Sequence, residues 1–326
     1  MRRREFVTLA GGSLAAWPLV AHAQQQAKIP RVGFLGLVSA SSHAARSAAF
    51  RAGLRDLGWI EGKNIVIESR WAEGNYDRLP EMADELVRLK VDVLVTHGAA
   101  GSIAAKRATS TIPIVVTAAG DLVEFGLAES LSRPGGNITG LSLFVAELMA
   151  KRLELIKEAV PNLVKAAVLL NPDNASTPKI LHEIEATARS LNVGVEPLEV
   201  RRSSDIERAF AQMADQRVGA VVVHEDTVLI ANVSAIAIYA AVQRLPSSGF
   251  PELVRAGGLI AYGIHFPDTD YRAAAFVDKI LKGASPRTLP IERSTKFNII
   301  VNFQTSKALG LALPSSLVVR ADEVIE

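Results

Sequence analysis

Two uninterrupted β-branched runs constrain this chain more than anything else in it: Val91-Asp92-Val93-Leu94-Val95-Thr96-His97-Gly98 and Val218-Gly219-Ala220-Val221-Val222-Val223-His224-Glu225. A strand with one wet face alternates apolar and polar residues. A run without alternation reads as a strand buried on both faces, as in a parallel sheet covered by helices. In each run a histidine stands where the apolar sequence stops. Ligands of open α/β sheets bind just beyond the carboxyl ends of the strands. The two runs therefore predict matching strands of two similar lobes whose tips face one cleft.

The remaining sequence supplies the repeats such lobes need. Strands are expected at 31–36, 64–71, 91–97, 113–116 and 138–143. Helical stripes such as Phe50, Leu54, Leu57 and Leu79, Met82, Ala83, Leu86 separate them, and a short helix is expected after Asp121. The alternation restarts with a stripe at Met149, Leu153, Ile156 and Val160. Strands at 165–170, 193–200 and 218–224 follow, then a helix over 228–243. Two such series predict two parallel sheets with helices on both faces. Beyond Gly257 a strand to Gly263, a helix over 271–281, a strand over 296–302 and a short helix over 306–309 break the pattern. The chain is therefore expected to cross between lobes several times. The fold class is α/β, with two Rossmann-like lobes joined by a multi-crossing hinge. One lobe is expected to span 28–142 plus about 266–283, the other 143–265 plus about 284–326.

At 326 residues the chain is long enough for two domains. Its net charge of +2 comes from the first 23 residues; without them 33 basic residues face 33 acidic ones. No basic surface for nucleic acid is expected. With no cysteine, disulfides, thiolate metal sites, a cysteine nucleophile and a lipid-modified cysteine are excluded. Arg2-Arg3-Arg4, a mostly small and apolar stretch from Phe6 to Val20, and Ala21-His22-Ala23 form a secretory leader expected to be cut after Ala23. The apolar stretch is too short and Gly-rich for a membrane span. Arg3-Arg4-Glu5-Phe6 is similar to a twin-arginine signal, with Sec export as the alternative. Either route places the mature chain in the periplasm.

Several further stretches carry a family likeness. These are Asp56-Leu57-Gly58-Trp59-Ile60-Glu61-Gly62-Lys63-Asn64, Ser132-Arg133-Pro134-Gly135-Gly136-Asn137-Ile138-Thr139-Gly140, and Ala256-Gly257-Gly258-Leu259-Ile260-Ala261-Tyr262-Gly263. Ala308-Leu309-Gly310-Leu311 and Arg320-Ala321-Asp322-Glu323-Val324-Ile325 extend it. Together they resemble the ABC-transporter substrate-binding proteins of the tryptophan/tyrosine type. That resemblance implies a type I periplasmic-binding-protein fold, a closing cleft and no catalysis. The sequence departs from the family at the tips. His97-Gly98-Ala99-Ala100 stands where a Gly-Thr/Ser-Pro-like loop is common, and His224-Glu225-Asp226 where Ser-Asp-Pro is common.

An amino-acid-like ligand needs donors for its carboxylate, an acid for its ammonium and a wall for its side chain. Ser39, Ser41, Gly98, Ala99 and Ser102 stand where helices begin after strand tips, so they are candidates for the first role. Asp121, after Gly120, and Asp226 are candidates for the second; each is equally a helix cap. Tyr262, Phe266 or Leu37 are candidates for the wall, Tyr262 being equally a core residue. Asn171, before Pro172, is a candidate at its strand tip or part of a plain turn. His97 and His224 are hydrogen-bonded tip residues or a pair that meets an anion across the cleft; two histidines without a third ligand are a weak metal signal. No metal and no cofactor are expected.

The expected function is an extracytoplasmic solute-binding component of an ABC importer. It would bind a small molecule, an aromatic or branched amino acid being the family-weighted choice. Its partners would be membrane permease subunits, and it would act as a monomer. The alternatives are an extracytoplasmic sensory protein and a hydrolase on the same fold. Against the hydrolase, the chain has no Gly-x-Ser-x-Gly, Walker, Gly-x-Gly-x-x-Gly or His-Glu-x-x-His motif at a fitting place.

Overall fold

Val32, Phe34 and Leu35 lie fully inside the first sheet and Ala166 to Leu170 inside the second, the burial that runs without alternation require. The computed structural model describes residues 28–294 and 296–326; the leader read at 1–23 lies outside them. The first half runs β1 (Arg31–Gly36), α1 (Ala44–Asp56), β2 (Val66–Trp71), α2 (Leu79–Arg88), β3 (Val93–Thr96), α3 (Gly98–Ala108), β4 (Ile114–Ala119) and β5 (Ile138–Ser142). The second runs α4 (Val145–Ala159), β6 (Lys165–Leu170), α5 (Thr177–Leu191), β7 (Gly194–Glu199), α6 (Asp205–Asp215), β8 (Ala220–Val223), α7 (Thr227–Ala231), α8 (Val233–Val242), β9 (Ser247–Gly249), α9 (Pro251–Arg255) and β10 (Ile260–Gly263). The tail holds α10 (Phe266–Leu281), β11 (Glu292–Arg293), β12 (Asn298–Asn302), α11 (Phe303–Leu309), α12 (Ser315–Val319) and β13 (Glu323–Ile325).

The strands form two sheets, ordered β11-β5-β4-β3-β1-β2 and β13-β12-β10-β9-β8-β6-β7. All pairings are parallel except β10 with β12. Parallel pairing with helical crossovers brings the carboxyl ends of one sheet to one edge. The residues just after β3 and β8, the two runs that define the chain, line one cavity between the sheets.

The tail returns to the first sheet for longer than expected. The helix begins at Phe266 and packs along α1, with Ala273, Ala274, Phe276 and Val277 in the core shared with Phe50 and Leu54. β11 then pairs with β5, through Glu292 opposite Leu141 and Arg293 opposite Ser142. Leu289 and Ile291 enter first-lobe cores. The segment 284–294, expected with the second lobe, therefore lies on the first. Two residues of strand carry too little pattern to be read from sequence. The chain passes to β12 only after Ser294, so it crosses between lobes at 143–145, at 264–266 and between β11 and β12.

Local departures have local causes. Turns occupy the place of the short helix expected after Asp121: Asp121 Oδ1 accepts from the amides of Val123 and Glu124 as a helix cap does, but a positive-φ Gly126 ends the segment after one turn. The helix expected over 228–243 breaks at Asn232, whose side chain donates to Val228 O at 2.7 Å. β9 is a strand of two serines and a glycine; its burial comes from neighbours on both sides, not from its composition.

Candidate functional site

The tips of both sheets line one small, partly open cavity of about 50 Å³. From the first lobe come Arg46 on α1, His97, Gly98 and Ala99 after β3, and Gly120 after β4. From the second come Asn174 and Ser176 after β6, and His224, Glu225 and Thr227 after β8. Phe266, at one of the crossings, closes an end. His97 and His224 thus face one space, as matched strand tips require.

His97 is the N-cap of α3 in position, with extended backbone and no side-chain cap bond. Its Nε2 accepts from the Leu37 amide at 3.2 Å, so the neutral ring carries its proton on Nδ1. Burial holds it well below the usual imidazole value. Its ring stacks on His43 at 4.7 Å between centroids; burial first, and then the charge of Arg46, keeps His43 neutral as well. Arg46 Nε donates to Asp270 Oδ2 at 2.6 Å, and its guanidinium lies 4.4 Å from the centre of the Phe266 ring.

In the second lobe Arg152 is fully buried, donating from Nε to Tyr262 O at 2.8 Å and from Nη1 to Val223 O at 3.3 Å. Its Nη2 sits 2.8 Å from Glu225 Oε1, a buried ion pair, while Glu225 Oε2 has no hydrogen-bond partner. The contact balances charge at one oxygen and leaves the other, Oε2, without a donor. Burial pushes the Glu225 carboxyl up, against the pull of Arg152. His224 falls to about 4 because burial outweighs the nearby Asp226 charge.

Asp226 has a different place. It caps α7 through the Val228 amide at 2.8 Å. It also accepts from Asn171 Nδ2 at 3.2 Å, Asn174 Nδ2 at 2.9 Å and, from the opposite lobe, the Tyr76 hydroxyl at 2.6 Å. Burial, and then the Asp226 charge, raises the Tyr76 phenol well above its ordinary value, so it stays a donor. A second inter-lobe pair, Lys179 with Glu124 at 2.8 Å, lies exposed at the rim. Outside the Tyr76–Asp226 contact a polar cleft of about 650 Å³ opens, lined among others by Ser39, Asn75, Tyr76, Asn171 and Arg201.

His97, Gly98, Ala99, Gly120 and His224, all expected at the site, line the inner cavity. Ser39 and Asn171 line the outer cleft, and Asp226 joins the lobes. Five expected residues lie elsewhere: Leu37 is in the first-lobe core, Ser102 is buried and donates to Gly98 O at 2.7 Å, and three more sit at the surface, in a side recess and behind the cavity. Ser41 is exposed and bonded to Ser39. Asp121 is used by its turn and by Arg293 at 2.9 Å, in a side recess. Tyr262 packs on Phe297 behind the cavity, its ring 5.6 Å away. The expectation passed over Arg46, Tyr76, Asn174 and Glu225. Tyr76 and Asn174 follow β2 and β6, so the strand-tip rule would have found them; Arg46 has no sequence signal. Among the described residues no cluster of three or more histidines or acids is set to hold a metal.

A family model described as "ABC transporter substrate binding protein" matches residues 31–325. A curated "Tyrosine-binding protein" of Clostridioides difficile is 27% identical over 285 residues, 87% of this chain and 82% of that relative. The crystal structure of a conserved domain protein from Vibrio cholerae superposes with a TM-score of 0.86 at 26% identity, covering 91% of this chain and all of that one. An ABC domain from Streptococcus pneumonia, in complex with L-Trp, superposes at 0.85 with 24% identity, over 91% and 99% of the two chains.

Proposed function

This chain belongs to the ABC transporter substrate-binding protein family, and we propose that it is the periplasmic receptor of an importer, binding an aromatic or branched amino acid between its lobes. One observation carries the reading: tips of two separate sheets line one cavity. A ligand there touches both lobes only when they are closed, so its binding energy shifts an open–closed equilibrium. The moving units are residues 28–142 with 266–294 and residues 143–265 with 296–326, hinged at the three crossings. The closed form is what membrane permease subunits meet. The role is binding without turnover, by a monomer exported through the leader at 1–23. The tyrosine named for the C. difficile relative and the tryptophan of the S. pneumonia complex support an aromatic amino acid as first choice.

The test is a thermal-shift panel on residues 24–326, stripped of co-purified ligand by unfolding and refolding. Aromatic or branched amino acids at about a hundredfold their Kd should stabilise the protein by roughly 2.7 kcal/mol. A flat response to every amino acid would overturn the reading.

A further inference from the structure

The cavity at the strand tips has a volume of about 50 Å³, room for a few waters, whereas a cavity that admits benzene measures about 150 Å³. The head of an amino acid is as much as it can take, so a large side chain must continue elsewhere. Two spaces adjoin it. The outer cleft shares no lining residue with the cavity, and the Tyr76–Asp226 bond stands between them. The side recess shares Gly120, Leu143, Val145 and Ser176 with the cavity and measures about 170 Å³, enough for a phenyl ring. With no side chain, Gly120 adds no partition between the two: a Cβ on it would lie 2.6 Å from Ser176 Oγ and 2.8 Å from Phe125 Cζ.

The recess has flat walls. Phe125 and Phe144, both half-buried, line it, and the Arg293 guanidinium lies 4.4 Å from the centre of the Phe144 ring. In the cavity itself the phenyl ring is that of Phe266, and Arg46 already covers a face of it. The cations of the recess are matched, Arg293 by Asp121 and Lys179 by Glu124. An uncharged ring entering between them strands no charge.

We propose that the side recess receives the side chain of the ligand, selecting a flat ring carried on one methylene, and that closure depends on its being filled; this rests on the amino-acid reading above. Two hinge segments build the recess. Phe144 and Val145 lie in the crossing at 143–145, and Arg293 lies in β11, just before the crossing to β12. The other walls belong to opposite lobes, Phe125 to the first, Ser176 and Lys179 to the second. The recess is therefore complete only when the lobes close, and a ring is removed from water only then. A ring attached directly to the α-carbon would have to fit the 50 Å³ cavity. A short side chain would leave the recess wet and the closed form without that stabilisation.

The experiment is calorimetric titration of the mature protein with L-phenylalanine, L-phenylglycine and L-alanine, with X-ray scattering of each saturated complex. Phenylalanine should bind at least about tenfold tighter than phenylglycine, beyond the roughly fourfold that one methylene contributes, and at least about tenfold tighter than alanine. The phenylalanine complex should have the smaller radius of gyration of these two. The double variant Phe125→Leu, Phe144→Leu should narrow the preference for phenylalanine over alanine at least about fivefold, because two ring contacts are lost; thermal melting shows whether it is folded. Should it not fold, Phe125→Leu alone should narrow the preference at least about twofold. Phenylglycine or alanine coming closer to phenylalanine than those factors, an alanine complex as compact as the phenylalanine one, or an unchanged preference in the folded variant overturns the assignment and leaves the amino-acid reading standing. Binding of leucine without phenylalanine does the same. Wild-type protein that binds no amino acid defeats that reading, and this assignment with it.

Discussion

Tyr76 donates its hydroxyl to Asp226 across the gap between the lobes at 2.6 Å. The bond joins the loop after β2 to the cap of α7, and it stands between the inner cavity and the outer cleft. It is the buried link between the lobes, beside the exposed Lys179–Glu124 pair. Tyr76→Phe keeps the ring and removes only that bond, which to a charged acceptor contributes about 1.5–3 kcal/mol. The variant should open more readily, seen as a larger radius of gyration in X-ray scattering and faster ligand release, with unfolding free energy changed far less. An unchanged radius and release rate would show that Asp226 does not hold the lobes shut.

Gly120 meets the other lobe at close range. A Cβ built on it lies 2.6 Å from Ser176 Oγ and 2.8 Å from Phe125 Cζ. Gly120→Val should therefore act as a wedge. The ligand-induced thermal shift should fall by more than half, while the ligand-free melting temperature stays within the few degrees expected for a change of about 1 kcal/mol. A full ligand shift in that variant would show that the approach is not needed for closure.

The buried Arg152–Glu225 pair predicts asymmetric mutational costs. Arg152→Met removes the counter-charge of Glu225 and two bonds to backbone carbonyls. A loss of about 3–5 kcal/mol is expected from leaving a buried charge alone. Adding Glu225→Gln should return a part of that loss. Urea unfolding of the single and double variants checks the sign of the coupling.

His43, His97 and His224 are all held neutral by burial. Their unfolded values lie near 6.5, so between pH 6.5 and about 4 the unfolded chain binds more protons than the native one. Stability should be fully present above pH 6.5 and be lost as pH falls, by about 1.4 kcal/mol per pH unit for each histidine. Glu225 acts with the opposite sign, since its raised carboxyl binds a proton in the folded state first. It offsets part of the slope. Urea midpoints at pH 7 and pH 5 test this, and His97→Asn should flatten the difference. A midpoint unaffected by pH would contradict the neutral, buried rings.

Much of the architecture is legible because the signals are local. The runs ending at His97 and His224 become β3 and β8, and the Leu79, Met82, Ala83, Leu86 stripe becomes the buried face of α2. The failures are segments whose conformation is imposed by neighbours: the two-residue β11, β9 made of serines and glycine, and the break at Asn232.

At the site the same division holds. Hydrophobic continuity and strand-end chemistry by themselves determined two parallel sheets and placed His97, Gly98, Ala99, Gly120 and His224 at the mouth between them, because period and burial are properties of neighbouring residues. Only the tertiary structure decided how the acids divide their work. Asp121 turns to its own loop and Arg293, Asp226 is saturated by donors from three segments, and Glu225 is left facing the cavity. A carboxylate's role depends on which donors reach it, and here those donors come from residues as far as 150 positions away in the chain.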